Sequence, residues 1–100
     1  QQDAQRILYL EELNEYASRF TAAHKLKIHF SKDAADYLID ESQSSGKTIR
    51  TICEKKFADY QFGLKLVAKN TDSREFEISK AMAKNPDDEL SALVAKSYEK

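Results

Sequence analysis

The segment Leu26-Lys27-Ile28-His29-Phe30 decides the class of fold that this chain adopts. Apolar and polar side chains alternate strictly along it, which is typical of a short β-strand with one buried face. On both sides of the segment the apolar residues recur instead every three or four positions, as along one face of an amphipathic helix. The pattern therefore predicts a small sheet within a mostly helical chain.

Helices are predicted on either side of this strand. The first runs from Ala4 to His24, with an apolar face formed by Ile7, Leu10, Leu13, Ala17 and Phe20. The second follows Ser31, whose hydroxyl suits an N-cap, and ends near Ser45 because Gly46 accepts the left-handed conformation that follows many helices. Its buried residues are expected to be Ala35, Leu38 and Ile39.

A long third helix is predicted from its N-cap Thr48 up to the break at Asn70-Thr71-Asp72-Ser73. One continuous apolar stripe supports it: Ile49, Ile52, Cys53, Phe57, Tyr60, Leu64 and Val67. Phe62 and Leu66 lie off this stripe, so they are either additional core residues or an exposed contact surface for another domain.

Glu75-Phe76-Glu77-Ile78 alternates again and predicts a second strand. If the two strands pair, Phe76 and Ile78 join Leu26, Ile28 and Phe30 on the inner face towards the third helix. Lys27 and His29 then face Glu75 and Glu77 on the outer face, which is electrostatically favourable.

A last helix is predicted to begin at Asn85 as N-cap, with Pro86 in the first helical position and acidic residues in the first turn. Its packed face would carry Leu90, Leu93, Val94 and Tyr98. We thus predict an α+β fold, mostly helical, with four or so helices and a two-stranded sheet, in a single domain over residues 1–100.

The composition excludes several classes of function. Sixteen basic and seventeen acidic residues give a net charge of −1, which disfavours a nucleic-acid partner. No apolar stretch approaches the roughly 20 residues of a membrane span, and the lone Cys53 forms no internal disulfide, so we expect a cytoplasmic protein without a membrane partner. The chain opens without an initiator Met and is already helix-like at Ala4, so we expect a piece of a longer protein.

No catalytic or metal site is predicted within the chain. Ser45-Gly46-Lys47-Thr48 ends like a P-loop, but Glu41 stands where that motif needs a glycine, and a helix rather than a strand precedes it. His24, His29 and Cys53 fall on a helix end, an outer strand face and an apolar stripe, so they do not converge on a metal. The acidic residues are scattered over solvated faces.

The element order resembles the small C-terminal lid subdomain of AAA+ ATPases, of the Clp/Hsl unfoldase type or the CbxX/sporulation type. The strand and the following Ser31-Lys32-Asp33-Ala34 look like the strand-to-helix step of the unfoldase lid. The ten residues from Ser45 to Glu54, Ser-Gly-Lys-Thr-Ile-Arg-Thr-Ile-Cys-Glu, are similar without gaps to that family's sensor 2 segment, Gly-Ala-Arg-Gly-Leu-Arg-Ser-Ile-Leu-Glu.

This resemblance implies a function that depends on the rest of an ATPase. Lys47 takes the place of the arginine that reaches the nucleotide phosphates in that family; it keeps the charge but loses the planar fork. Arg50 matches the second arginine and is expected to share the face of Lys47. ATP with Mg would be the cofactor of the intact parent, and the chain alone would bind none and would not be an enzyme.

The partners implied by the resemblance are the ATPase's own large subdomain, neighbouring subunits of a ring such as a hexamer, and a protein substrate that the machine unfolds or remodels as a chaperone. The alternative is a free-standing interaction or regulatory helical module in which Lys47 and Arg50 are ordinary surface cations. The sequence leaves the parent, its substrate and the ring size open.

Overall fold

A computed structural model describes the backbone of residues 2–99 and the side chains of residues 4–99. The predicted fold class is confirmed, since these residues form a mostly helical α+β fold with one small sheet. Its elements are α1 (Gln2–His24), β1 (Lys27–Phe30), α2 (Lys32–Ser45), α3 (Ile49–Lys56), α4 (Tyr60–Thr71), β2 (Glu75–Ile78), α5 (Lys80–Lys84) and α6 (Pro86–Ser97).

The two strands pair in parallel, as one two-stranded sheet. Lys27 lies opposite Glu75 and His29 opposite Glu77, with closest nitrogen-to-oxygen distances of 3.9 and 3.5 Å on the outer face. The predicted pairing and outer face are therefore confirmed. Because these four side chains are exposed, their attraction contributes little, and the burial of the inner face stabilises the sheet instead.

One continuous core joins the helices to the inner face of this sheet. α1 packs over β1, and aromatic rings extend the contact to the end of α3. The Phe57 ring centroid lies 6.1 Å from that of Phe30 and 4.9 Å from that of Tyr60. The largest fully buried side chains are Tyr60, Leu13, Leu26, Leu38, Ile49, Leu64, Ile78 and Cys53.

The prediction of one long third helix is wrong, because the chain turns between α3 and α4. Phe57 ends α3 with φ −111° and ψ 28°, and its amide still donates to the Cys53 carbonyl. Phe57 and Tyr60 are both buried and their rings stack edge to face, so the apolar stripe passes straight through the turn. A stripe that fits a helix on both sides conceals the break, and neither Gly nor Pro marks it.

Residues 2–99 contain six helices rather than four or so. Besides the divided third helix, the short α5 was not predicted. The Ser79 hydroxyl caps it by accepting from the Met82 amide at 3.2 Å, and its inward side chains, Met82 and Ala83, are buried. A cap followed by one apolar turn is too short to give a periodic signal.

Three details of the terminal helices also differ from expectation. Pro86 does occupy the start of α6, but the Asn85 side chain makes no capping hydrogen bond, so its predicted capping role is wrong. Tyr98 is exposed rather than packed, since α6 ends at Ser97. Ile7 is exposed as well, because the first turns of α1 extend beyond the core.

Candidate functional site

The junction between α2 and α3 is built from its local sequence. Gly46 adopts the left-handed conformation with φ 76°, and its amide donates to the Ser42 carbonyl at 3.0 Å. Thr48 caps α3, because its hydroxyl accepts from the Thr51 amide at 3.1 Å. The predicted glycine stop and new helix start are confirmed, and a helix precedes this glycine where a P-loop needs a strand.

Lys47 lies between these two caps, and both its backbone amide and its backbone carbonyl are hydrogen-bonded. Its amide donates to the Ser45 hydroxyl at 3.2 Å, and its carbonyl accepts from the Ser42 hydroxyl at 2.6 Å. Ser42 is buried, so this second bond anchors the junction to the core side of α2. The side chain of Lys47 is exposed on a backbone held in place.

The exposed side chain of Lys47 lines a cleft of about 310 Å³. Its walls come from the end of α2, one face of α3 and the first turn of α6, which are brought together only by the fold. The lining residues are Glu41, Lys47, Thr51, Ile52, Lys55, Lys56, Pro86 and Asp87.

Three lysines and two carboxylates face this cleft, but they are not equally available. Lys56 Nζ lies 3.2 Å from Glu41 Oε1 and 5.7 Å above the Tyr37 ring, and its side chain is only 17% exposed. Lys47 and Lys55 are exposed, and within residues 4–99 neither makes an ion pair. With Lys56 and Glu41 neutralising each other, two lysines remain against one carboxylate, Asp87.

Arg50 does not line the cleft. Its Nε donates to Glu54 Oε2 at 2.9 Å, one helical turn along α3, and its side chain is 63% exposed. Exposed pairs of this kind are worth at most about 1 kcal/mol, so the guanidinium can be released at small cost. Of the two predicted phosphate ligands, the structure thus places Lys47 in the cleft and Arg50 outside it.

None of the residues considered for a metal lines this cleft, and they are not grouped with one another. His24 stacks on Phe20, with ring centroids 4.8 Å apart, and His29 faces Glu77. Cys53 is fully buried, and burial raises the pKa of its thiol to about 12, so it is an inert apolar side chain, as predicted. Among the side chains of residues 4–99, no three His, Cys, Asp or Glu residues are grouped to hold a metal ion.

Two side chains whose placement the sequence left open are exposed. Phe62 is 61% and Leu66 42% accessible, one turn apart on α4. They form an apolar strip on α4 rather than additional core.

Comparisons with protein-family models, with curated proteins and with solved structures gave no match. Within the part of the chain that the structure describes, no helix has both the length and the apolar character to cross a membrane.

Three residues in or beside the cleft were missed by sequence reasoning. Ser42 carried a signal, since it follows Leu38 and Ile39 on the buried face of α2, where a serine needs a partner. Lys55 and Asp87 carried none, because α3 and α6 are far apart in the sequence and only their packing places both side chains on one cleft.

Proposed function

We propose that this chain is the C-terminal lid of a cytoplasmic AAA+ ATPase that remodels proteins, with Lys47 as its contact to the nucleotide phosphates. The observation that carries the proposal is the placement of Lys47. Its backbone is held between the Gly46 stop and the Thr48 cap, while its ammonium group is exposed on a cleft. A fixed backbone with a free cation suits a residue that senses charge on a neighbouring domain.

The cleft fits a peripheral phosphate contact rather than a complete nucleotide site. It offers ammonium and hydroxyl donors, but residues 2–99 contain no strand followed by a glycine loop of free amides that could cradle the phosphates. ATP with Mg would therefore be held mainly by a large subdomain, which supplies the phosphoryl-transfer chemistry. This chain would contribute charge and movement.

Movement of the lid would couple nucleotide state to the neighbouring subunits of a ring. A cation near the γ-phosphate interacts more strongly before hydrolysis than after it, so the position of the lid relative to the large subdomain would follow the nucleotide. The exposed strip of Phe62 and Leu66 is available for packing on a neighbouring subunit or domain.

The decisive experiment replaces Lys47 by Ala in the full-length protein that contains this chain. Turnover should fall on the order of ten- to a hundredfold, in scale with one charged contact of roughly 1.5–3 kcal/mol. Lys69→Ala is the matched control, because it removes the same charge from an exposed position of α4 outside the cleft. The 100-residue chain alone should not hydrolyse ATP.

Two results would contradict the proposal. One is a full-length coding sequence without a P-loop and Walker B acid in the roughly 150–250 residues before Gln1, a typical domain length. The other is ATP turnover of the Lys47→Ala protein equal to that of the Lys69→Ala control.

The exposure of Phe62 and Leu66 also favours a second candidate, a free-standing interaction or regulatory module. An exposed apolar strip marks many protein contact sites. In that case Phe62→Ser with Leu66→Ser would abolish partner binding, whereas Lys47→Ala would have no effect on any activity.

A further inference from the structure

A second lysine without an ion pair within residues 4–99 lines the same cleft as Lys47, and it is not the cation that the sequence suggests. Thr51 and Lys55 are four residues apart on α3, so their side chains share a face of that helix. Lys47 precedes Thr51 by four residues, and all three line the same cleft. Arg50 lies on a different face of α3, in its pair with Glu54.

We infer that Lys47, Thr51 and Lys55 together bind the triphosphate of a nucleotide, with Lys55 rather than Arg50 as the second cation. The identity of the ligand rests on the proposed function, whereas the location rests on the cleft alone. Three adjacent phosphates carry several negative charges, and two ammonium groups on one face match them better than one.

The free charges of the cleft support this set of residues. Within residues 4–99 Lys55 makes no ion pair that a ligand would have to replace. Arg50 would have to break its ion pair with Glu54. Lys56 would have to break its ion pair with Glu41 and its contact with the Tyr37 ring. Lys47 and Lys55 are therefore the cations whose recruitment costs least.

Thr51 supplies a neutral donor between these two cations. Its hydroxyl oxygen accepts from the Thr48 hydroxyl at 2.9 Å, and the Thr48 oxygen in turn accepts from the Thr51 amide. This arrangement leaves the Thr51 hydroxyl hydrogen available for a phosphate oxygen. Thr51→Val removes that donor at nearly constant shape.

Asp87 opposes the ligand from the far wall. It lies in the first turn of α6, where the helix dipole favours a carboxylate, and it lines the cleft. Its charge repels an anion, so the site is weak in the isolated chain. Asp87→Asn should consequently strengthen binding.

The test is a titration of the 100-residue chain, followed by the backbone amide signals in NMR spectra at low ionic strength, where screening is weak. The probes are tripolyphosphate, ATP and inorganic phosphate. Tripolyphosphate and ATP should shift the signals of Lys47, Thr51 and Lys55 with similar affinity, and inorganic phosphate should bind at least tenfold more weakly.

Five variants distinguish binding at this cleft from non-specific attraction between the anion and the charged surface of the chain. Lys47→Ala and Lys55→Ala should each weaken tripolyphosphate binding roughly three- to tenfold, in scale with one partly exposed charge contact. Arg50→Ala and Lys69→Ala remove the same charge elsewhere and should change it less than about twofold. Asp87→Asn should tighten it. All five positions are exposed, so folding should persist.

The inference is overturned if Arg50→Ala weakens binding as much as Lys55→Ala, if the shifts are not centred on the cleft, or if inorganic phosphate binds as tightly as tripolyphosphate. None of these outcomes contradicts the lid function, which is tested separately by the ATP turnover of the full-length Lys47→Ala protein. Conversely, normal turnover of that variant would remove the lid function and leave a cleft that binds tripolyphosphate.

Discussion

The chain contains two glycines, and the structure favours each for a different reason. Gly46 has φ 76°, and a Cβ placed there would meet no heavy atom within 4 Å. Gly63 lies within α4, and a Cβ there would come 2.6 Å from Leu90 Cδ1. The α2–α3 junction, which carries Lys47, thus depends on local backbone conformation. The contact between α4 and α6 depends on packing.

The largest effect should arise at the α4–α6 contact. Leu90→Ala should lower the free energy of unfolding by about 2–4 kcal/mol, because a buried side chain is lost and a cavity remains. Gly63→Ala in the wild-type background should cost about 1–2 kcal/mol, since overpacking against Leu90 outweighs the gain in helix propensity.

If packing against Leu90 is the reason for Gly63, the effect of Gly63→Ala on the free energy of unfolding should change sign when Leu90 is also Ala. The space that the methyl group needs is then open, and the better helix propensity stabilises the double variant relative to Leu90→Ala alone by up to about 1 kcal/mol. Urea unfolding of the four proteins measures both effects. Equal costs of Gly63→Ala in the two backgrounds would show that packing is not the reason for this glycine.

An intermediate effect is expected at Tyr60, which joins α4 to α6 by donating from its hydroxyl to the Pro86 carbonyl at 2.8 Å. Tyr60→Phe should cost about 1 kcal/mol near neutral pH. Burial, and then the charges of Asp87 and Glu89, raise the pKa of Tyr60 above its ordinary value of about 10. The stabilisation that the protonated Tyr60 hydroxyl provides is therefore fully present below pH ~10 and is lost as the pH rises further.

The free energy of unfolding should consequently fall more steeply above pH ~10 for the wild type than for Tyr60→Phe. Some slope should remain in the variant, because burial also raises the pKa of Tyr16. Tyr98→Phe is the matched control, since Tyr98 is exposed, and it should change neither the stability nor the slope. Parallel curves for wild type and Tyr60→Phe would contradict the role given to this phenol.

The smallest effect is expected at Gly46, which is favoured by its left-handed backbone conformation. Gly46→Ala should cost about 0.5–1 kcal/mol, because the strain of a left-handed Ala is partly offset by the lower entropy of its unfolded chain. Gly46→Asn should cost less, since Asn tolerates this conformation. Thermal unfolding distinguishes the two, and a Gly46→Asn protein less stable than Gly46→Ala would exclude the backbone explanation.

The contrast between features that depend on local backbone conformation and features that depend on packing explains how much of the fold could be predicted from the sequence. The Ser31 cap, the Gly46 stop and the Thr48 cap were predicted, because each depends on a few adjacent residues. The turn at Phe57 was not, because the spacing of Phe57 and Tyr60 fits a continuous helix and only their packing in the core favours the turn.

The candidate site likewise contains one residue that the sequence predicted and others that only the packing of the helices places there. Lys47 was singled out because it takes the place of the family's phosphate-contacting arginine in the segment that resembles sensor 2. Nothing in the sequence indicates that Lys55 and Asp87 face the same cleft, since that depends on how α6 packs beside α3. Arg50 was named because it matches the second arginine of that segment, and the resemblance gives no indication of its pairing with Glu54.

The parallel sheet also has a consequence for how the chain folds. Lys27 pairs with Glu75, 48 positions later, so no tight turn can bring the two strands together. Closing a flexible loop of that length costs roughly 3 kcal/mol of chain entropy. The helices α2, α3 and α4 occupy the interval, and their formation shortens the loop that remains to be closed. We therefore expect strand pairing to be a late step on the folding pathway, after the intervening helices have formed.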